Sequence, residues 1–341
     1  MIVQHFPSKT ADLYSFSNKE YDFRAFICVQ KNNRGPALGG CRLRPYLSER
    51  AAVIDVIRLS RAMRDKAFMS GLQHDGGKAV IMQSAKPISR EVLFRCFAEC
   101  VDSLKGRYIT TIDSGTTAAD MAIIKCYTPF VVGFESDDAV AFATALGAFI
   151  GIKAAINLHY CHPERSEGSY AAEKILRFAQ DDNVHVAIQG VGNVGLQLAK
   201  LLHESGARLT VSDVNPVRAK IAADTFGAII VDSEDIYQVE CDVFSPCALG
   251  RIIHRNNIDR FRTKIIAGAA NDQLDSKKLS DQLNQKGIMY VPDFILNAGG
   301  LIYLSRERDG WSQEAIRQDL LRIGERVQHE IVLQAIRSKA P

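Results

Sequence analysis

No two of the eight cysteines in this 341-residue sequence form a CxxC pair, and none stands with histidines at zinc-finger spacing. A chain of this length needs no disulfides for stability. Cys28, Cys41, Cys96, Cys100, Cys126, Cys161, Cys241 and Cys247 are therefore expected to be reduced core thiols, and the eight scattered histidines offer no metal site. Charge of one sign is also lacking. The chain carries 42 basic and 39 acidic residues spread along its length, for a net +3, which argues against nucleic acid or an anionic membrane as partner. No apolar run is expected to approach the ~18 residues of a membrane span. Met1–Thr10 lacks the basic start and apolar core of a signal peptide, so the cytoplasm is the expected location.

An apolar fraction of 47% with 24% charged residues supplies enough side chains for two hydrophobic cores, and the length suggests two domains. In the first half, Asp22–Cys28, Lys78–Met82 and Arg107–Ile112 are short and β-like. Ser48–Phe68 and Ile88–Leu104 instead have helical spacing, the former through Val53, Ile57, Leu59 and Met63. An alanine-rich apolar helix over Val140–Leu158 leads out of this half. Beyond it, strands are predicted at Val184–Gln189, Arg208–Ser212, Asp242–Ser245, Lys264–Ala267 and Gly287–Val291, separated by helical stretches such as Leu196–Ser205. Strands alternating with helices imply an α/β fold with a doubly wound parallel sheet. Ser312–Lys339 has the pattern of one or two amphipathic helices that pack back. The expected domains are 1–135 for substrate and self-association, 136–305 as a Rossmann-type unit, and a helical tail over 306–341. The polar stretch Cys161–Asp182 interrupts the second domain and is expected to be a surface insertion without a catalytic role.

Gly190-Val191-Gly192-Asn193-Val194-Gly195 is a GxGxxG between a predicted strand and a predicted helix, the context that makes this motif informative. The first glycine permits a tight turn, the second lets backbone approach a diphosphate, and the third lets helix pack on strand. Asp213 follows at the end of the next strand. A carboxylate there accepts ribose hydroxyls and repels a 2′-phosphate, which favours NAD over NADP, while the nearby Arg218 softens that preference. In the first half, Lys66 closes the helix in RAMRDK and Lys78 follows paired glycines in HDGGK. A partly buried strand lysine beside a second cation has a lowered pKa and can act near neutral pH.

These segments stand in order with GPALGGCRLRPY (Gly35–Tyr46), IDSGTTAADM (Ile112–Met121), DVFSPCALG (Asp242–Gly250), AGAANDQL (Ala267–Leu274) and PDFILNAGG (Pro292–Gly300). The set resembles the glutamate/leucine/phenylalanine/valine dehydrogenase family, in its shorter leucine, valine and phenylalanine branch. The resemblance implies that Lys66 pairs with the substrate α-carboxylate and that Lys78 activates the water that attacks the imine. It also implies that Asp113 exchanges protons with the amino group. Gly39 and Gly40 would line the substrate, with Leu38 as a pocket wall. Asn297 would hold substrate and nicotinamide in register, with Ala269, Ala270 and Asn271 as a shelf near the nicotinamide ribose. The implied reaction is NAD-dependent deamination of an apolar L-amino acid to a 2-oxo acid and ammonia, by a homo-oligomer.

The match is imperfect around the substrate. Asp75 stands where the family has a glycine, and a carboxylate there could pair with Lys66 or Lys78 and raise a lysine pKa. Ile112 replaces an acid, and ESDDAVAFAT departs from the usual Ser/Pro-rich segment. A non-catalytic NAD-binding relative therefore stays open, as does a hydroxy-acid dehydrogenase, although no histidine lies in a motif with an arginine.

Overall fold

The β-branched and aromatic segments pair into two six-stranded sheets, one in each of two compact units, Met1–Asp137 and Asp138–Pro341, in the computed structural model. The structure describes residues 1–84, 86–134, 137–160, 184–248 and 250–337; the segment Cys161–Asp182 lies outside them.

The first unit has strands β1 (Ile2–Pro7), β2 (Ala11–Asn18), β3 (Phe23–Gln30), β4 (Ala37–Arg44), β5 (Asp75–Met82) and β6 (Tyr108–Ile112) in the order β1-β2-β3-β5-β4-β6. The sheet is mixed. Strands β1 to β3 run antiparallel, as do β3 and β5, whereas β5, β4 and β6 are parallel. Parallel neighbours need crossovers, and helices α1 (Glu49–Met69) and α2 (Arg90–Ser103) supply them. Ser48 caps α1 by accepting the Ala51 amide, and Ser89 caps α2 by accepting that of Val92. A short α3 (Ala118–Lys125) follows β6 behind a capping box of Thr117 and Asp120.

Period-two alternation divides the strand residues between two faces. Phe26, Cys28 and Val80 pack with Ala52 and Val56 of α1, while Ala25, Ile27, Ala79 and Ile81 pack with Phe94, Phe97 and Val101 of α2. Lys78, two residues before Val80, thus belongs to the α1 face. Asp75, three residues before Lys78, belongs to the other.

The second unit carries β7 (His185–Gln189), β8 (Arg208–Ser212), β9 (Ile229–Ile230), β10 (Cys241–Pro246), β11 (Thr263–Ile266) and β12 (Met289–Tyr290), all parallel, in the order β12-β11-β10-β7-β8-β9. This is the doubly wound arrangement, and its order reverses between β7 and β10. Its helices are α4 (Asp137–Tyr160), α5 (Asn193–Glu204), α6 (Pro216–Phe226), α7 (Lys278–Gln285), α8 (Asp293–Leu296), α9 (Gly299–Arg308), α10 (Gln313–Leu321) and α11 (Ile323–Arg337).

Helix α4 corrects the expectation that no apolar run approaches membrane length. Over Asp138–Tyr160 it is long and apolar enough, with a mean hydropathy of 1.9, but 72% of that window is buried inside the protein. A helix apolar on all sides is a core helix in such a setting. A Cβ on its Gly151 would lie 2.0 Å from Leu296 Cδ2 and 3.3 Å from Val327 Cγ2, so the glycine admits both α8 and the returning α11. The expectation of uniformly buried thiols also needs correction. Cys126 is exposed and Cys247 half-buried, whereas Cys28, Cys41, Cys96, Cys100 and Cys241 are buried.

Candidate active site

Glycines prepare the first unit's site. The strand expected to start at Lys78 begins at Asp75 instead, so both glycines of HDGGK lie inside β5. A Cβ at Gly76 would meet Arg64 N at 2.3 Å and Ser60 O at 2.4 Å, so this glycine lets α1 rest directly on β5. A Cβ at Gly39 would lie 1.8 Å from Gly77 O. Gly39 is therefore required by the neighbouring strand.

Lys78 rises on the α1 face, 5% exposed, and its Nζ lies 3.1 Å from Asp113 Oδ2. Arg42 Nε donates to the same oxygen at 2.8 Å. Asp113 is held just beyond β6 by a turn in which Thr116 Oγ1 accepts the Asp113 amide and donates to Cys41 O. Burial pushes Lys78 below the usual lysine range; Asp113 opposes this, and Arg42 adds to it. Burial alone would raise Asp113, but Lys78 and Arg42 outweigh it and hold the carboxyl below its ordinary value. The pair thus combines an ionised carboxylate with a lysine disposed to lose its proton, the requirements for moving a proton in either direction.

Asp75 does not join this group. Both its oxygens accept the Asn32 amide at 3.2 Å, on the sheet face opposite Lys78, and the carboxylate that opposes the lowering of Lys78 is Asp113. Its expected threat to the Lys78 pKa is removed by strand alternation. Lys66 lies half-buried in the last turn of α1. Leu38 is 1% exposed, an interior side chain of β4. Arg42 was missed in the sequence. The available signal was parity, since Gly40 and Arg42 fall on one face of a strand that the glycines disguised.

In the second unit, Gly190 turns the chain at φ +90° at the end of β7, on the flank where the strand order reverses. Helix α5 starts at Asn193, earlier than the expected Leu196, so Asn193, Val194 and Gly195 form its first turn. A Cβ at Gly195 would lie 2.0 Å from Gly190 O, whereas one at Gly192 would meet only Arg218 Nη1 at 3.7 Å. Among the described residues no side chain caps this helix, and no acid occupies its first turn, which leaves its amides and dipole available to an anion. Asp213, half-buried after β8, accepts the amides of Val191 at 2.9 Å and Asn215 at 2.8 Å. Asn297 donates to Ala270 O at 3.3 Å and Asn271 Oδ1 at 2.9 Å, while its own buried Oδ1 lacks a hydrogen-bond partner among the described residues. Such an orphan acceptor suits a ligand amide. Ala269 and Ala270 are buried beside it and Asn271 is exposed.

Comparison with known proteins agrees with this construction. Residues 14–129 match the Glu/Leu/Phe/Val dehydrogenase dimerisation domain, and residues 217–340 match the Glutamate/Leucine/Phenylalanine/Valine dehydrogenase domain. Leucine dehydrogenase of Geobacillus stearothermophilus is 40% identical over 315 residues, spanning 91% of this chain and 82% of that protein. Phenylalanine dehydrogenase of Bacillus thermotolerans is 36% identical over 309 residues, spanning 88% and 77%. The crystal structure of L-tryptophan dehydrogenase from Nostoc punctiforme superposes with a TM-score of 0.77 at 36% identity, covering 98% of this chain and 91% of that one.

Proposed function

Since this chain belongs to the glutamate/leucine/phenylalanine/valine dehydrogenase family and is an oxidoreductase acting on the CH–NH2 group of amino acids, we propose that it catalyses the NAD-dependent, reversible oxidative deamination of an apolar L-amino acid. The balanced reaction takes amino acid, NAD⁺ and water to 2-oxo acid, ammonium, NADH and a proton. The observation that carries this reading is the buried Lys78–Asp113 pair, 3.1 Å apart, with Arg42 donating to the same carboxylate oxygen.

The residues of the second unit fit a dinucleotide. The backbone of Gly190–Gly195 and the uncapped start of α5 would hold the diphosphate, and Asp213 the adenosine ribose. Asn297, with Ala269 and Asn271 beside it, would hold the nicotinamide end through its orphan Oδ1. Bound there, NAD⁺ supplies the hydride acceptor for the substrate Cα. The protein's own part is proton traffic and orientation. Lys66 would fix the substrate carboxylate. Asp113 would take the proton that makes the substrate amine neutral. Lys78, deprotonated, would draw a proton from the water that adds to the imine carbon, and the resulting ammonium would hold the developing hydroxyl.

An apolar side chain is favoured because Arg42, the cation beside the pair, is engaged by two carboxylates and is not aimed at a third. The relatives named for leucine, phenylalanine and tryptophan support the same class. Self-association of the first unit is part of the proposal. It is supported by the dimerisation-domain match and by the edge strand β1, where Ile2, Val3 and Phe6 are 53%, 48% and 52% exposed.

The test is consumption of NADH or NADPH with 4-methyl-2-oxopentanoate, phenylpyruvate, indole-3-pyruvate and 2-oxoglutarate, each with and without ammonium. Ammonium-dependent oxidation of NADH by the apolar acids supports the proposal. Ammonium-independent oxidation, or binding without turnover, overturns it.

A further inference from the structure

Arg42 bridges two carboxylates on the α1 face of β4. Its Nε donates to Asp113 Oδ2 at 2.8 Å and its Nη1 to Asp55 Oδ2 at 3.3 Å. Asp55 is held in turn, its Oδ2 accepting Tyr46 OH at 2.8 Å and its Oδ1 accepting Arg58 Nη2 at 2.9 Å. The side chains of Arg42, Asp55 and Asp113 are 15%, 15% and 16% exposed, so the chain of contacts is largely shielded from water. Asp113 Oδ2 therefore receives two cations, Lys78 and Arg42, whereas Oδ1 has no protein partner among the described residues.

We infer that Arg42 is a positioning residue for the reaction: anchored by Asp55, it fixes the plane of the Asp113 carboxylate so that Oδ2 stays with Lys78 and Oδ1 is presented to the substrate amine. The inference rests on the reading of Lys78 and Asp113 as the proton-transfer pair. A guanidinium suits the task because its donors form a rigid planar fork, which a lysine lacks. Its fixed charge also acts on both partners, keeping Asp113 ionised and disfavouring the proton on Lys78. Among the described residues, the charged or titratable groups around the pair include Asp55 and Arg58 on α1, Tyr46 after β4, Cys41 on β4, Asp120 on α3 and Tyr108 on β6, whose phenol burial keeps neutral. Burial keeps the Cys41 thiol neutral, and Arg90 holds Asp120 ionised.

The experiment compares pH profiles of kcat and kcat/KM for Arg42→Gln, Arg42→Lys and Lys78→Ala, with thermal melts to establish folding. Arg42→Gln should lower kcat about 100-fold with KM for the amino acid changed less than about threefold, as for a group acting in the transition state. Losing the cation raises both Lys78 and Asp113, so the acid limb should move up by about 0.5–1 pH unit. Arg42→Lys should return that limb to its wild-type position while kcat stays about tenfold low, because charge is restored without the fork. Folded Arg42→Gln with wild-type kcat and an unmoved limb overturns the inference. If Arg42→Gln does not fold, Arg42→Lys decides, and wild-type kcat in it has the same force. Should Lys78→Ala lose turnover while the Arg42 variants keep it, this inference alone fails. Turnover at the wild-type rate in folded Lys78→Ala removes the underlying reading.

Discussion

Lys78 Nζ reaches to 3.1 Å from Asp113 Oδ2 although their strands, β5 and β6, lie on opposite sides of β4. The contact crosses the middle strand where Gly40 has no side chain. A Cβ there would stand 2.7 Å from Asp113 Cβ and 3.2 Å from Lys78 Nζ. Gly40→Ala should therefore push the pair apart. A displacement of this size costs about 100-fold in turnover, and the overpacking costs about 1–3 kcal/mol. Steady-state kinetics and a urea melt measure the two effects. A fully active Gly40→Ala enzyme would mean that the pair is not needed as drawn.

Asp213 should govern the choice of nucleotide. Asp213→Ser removes charged hydrogen-bond acceptors and should weaken NAD binding about tenfold, with NADP binding unchanged or tighter. Fluorescence titration with both nucleotides checks this, and equal losses for the two would point to a loosened turn, since Asp213 also holds the Val191 amide.

The stretch Cys161–Asp182 should be dispensable. On either side of it, Tyr160 OH lies 2.5 Å from Asp242 Oδ1 and the His185 amide 2.9 Å from Asp242 Oδ2, so one carboxylate holds both flanks close together. A short Gly/Ser linker in place of 161–182 should leave kcat within about twofold, since the flanks are already held together and loop length costs little. A folded but inactive deletion would give the segment a role in turnover.

Acid should loosen the first unit through Asp120. Burial would raise this carboxyl, but Arg90, at 2.8 and 2.5 Å, and Thr117 hold it below its ordinary value. A depressed folded pKa contributes stability that is present above the unfolded value of about 3.9 and lost as pH falls through the folded one. Arg90 is half exposed, so solvent screening limits the loss in Arg90→Ala to about 1 kcal/mol at pH 7. That difference from wild type should shrink as pH falls below about 4. A difference independent of pH in denaturant melts would assign the effect to packing of Arg90 against Phe94.

Much of this was legible in the residues. The βαβ rhythm, the glycine turn and Asp213 could be read from local spacing, and Lys78 and Asp113 from the motifs around them. The strand β4 was hidden because its glycines carry no β-propensity, and only the folded sheet reveals that Gly39 is needed by Gly77 and Gly40 by the ion pair. Arg42 was invisible for a related reason. Its partners, Asp55 and Asp113, lie 13 and 71 residues away, and nothing local marks such contacts. Strands β1 and β2 also went unread. The fully exposed β1 has no buried face to imprint a pattern, and the inward positions of β2 include the polar Asp12.

The most direct test replaces Lys78 with alanine and follows NADH oxidation by an apolar 2-oxo acid and ammonium, with NAD affinity measured in parallel. The account predicts a loss of about 10²–10⁴ in kcat, the range for general acid–base catalysis, with nucleotide affinity within about twofold of wild type. Turnover at the wild-type rate by the folded Lys78→Ala protein would contradict it.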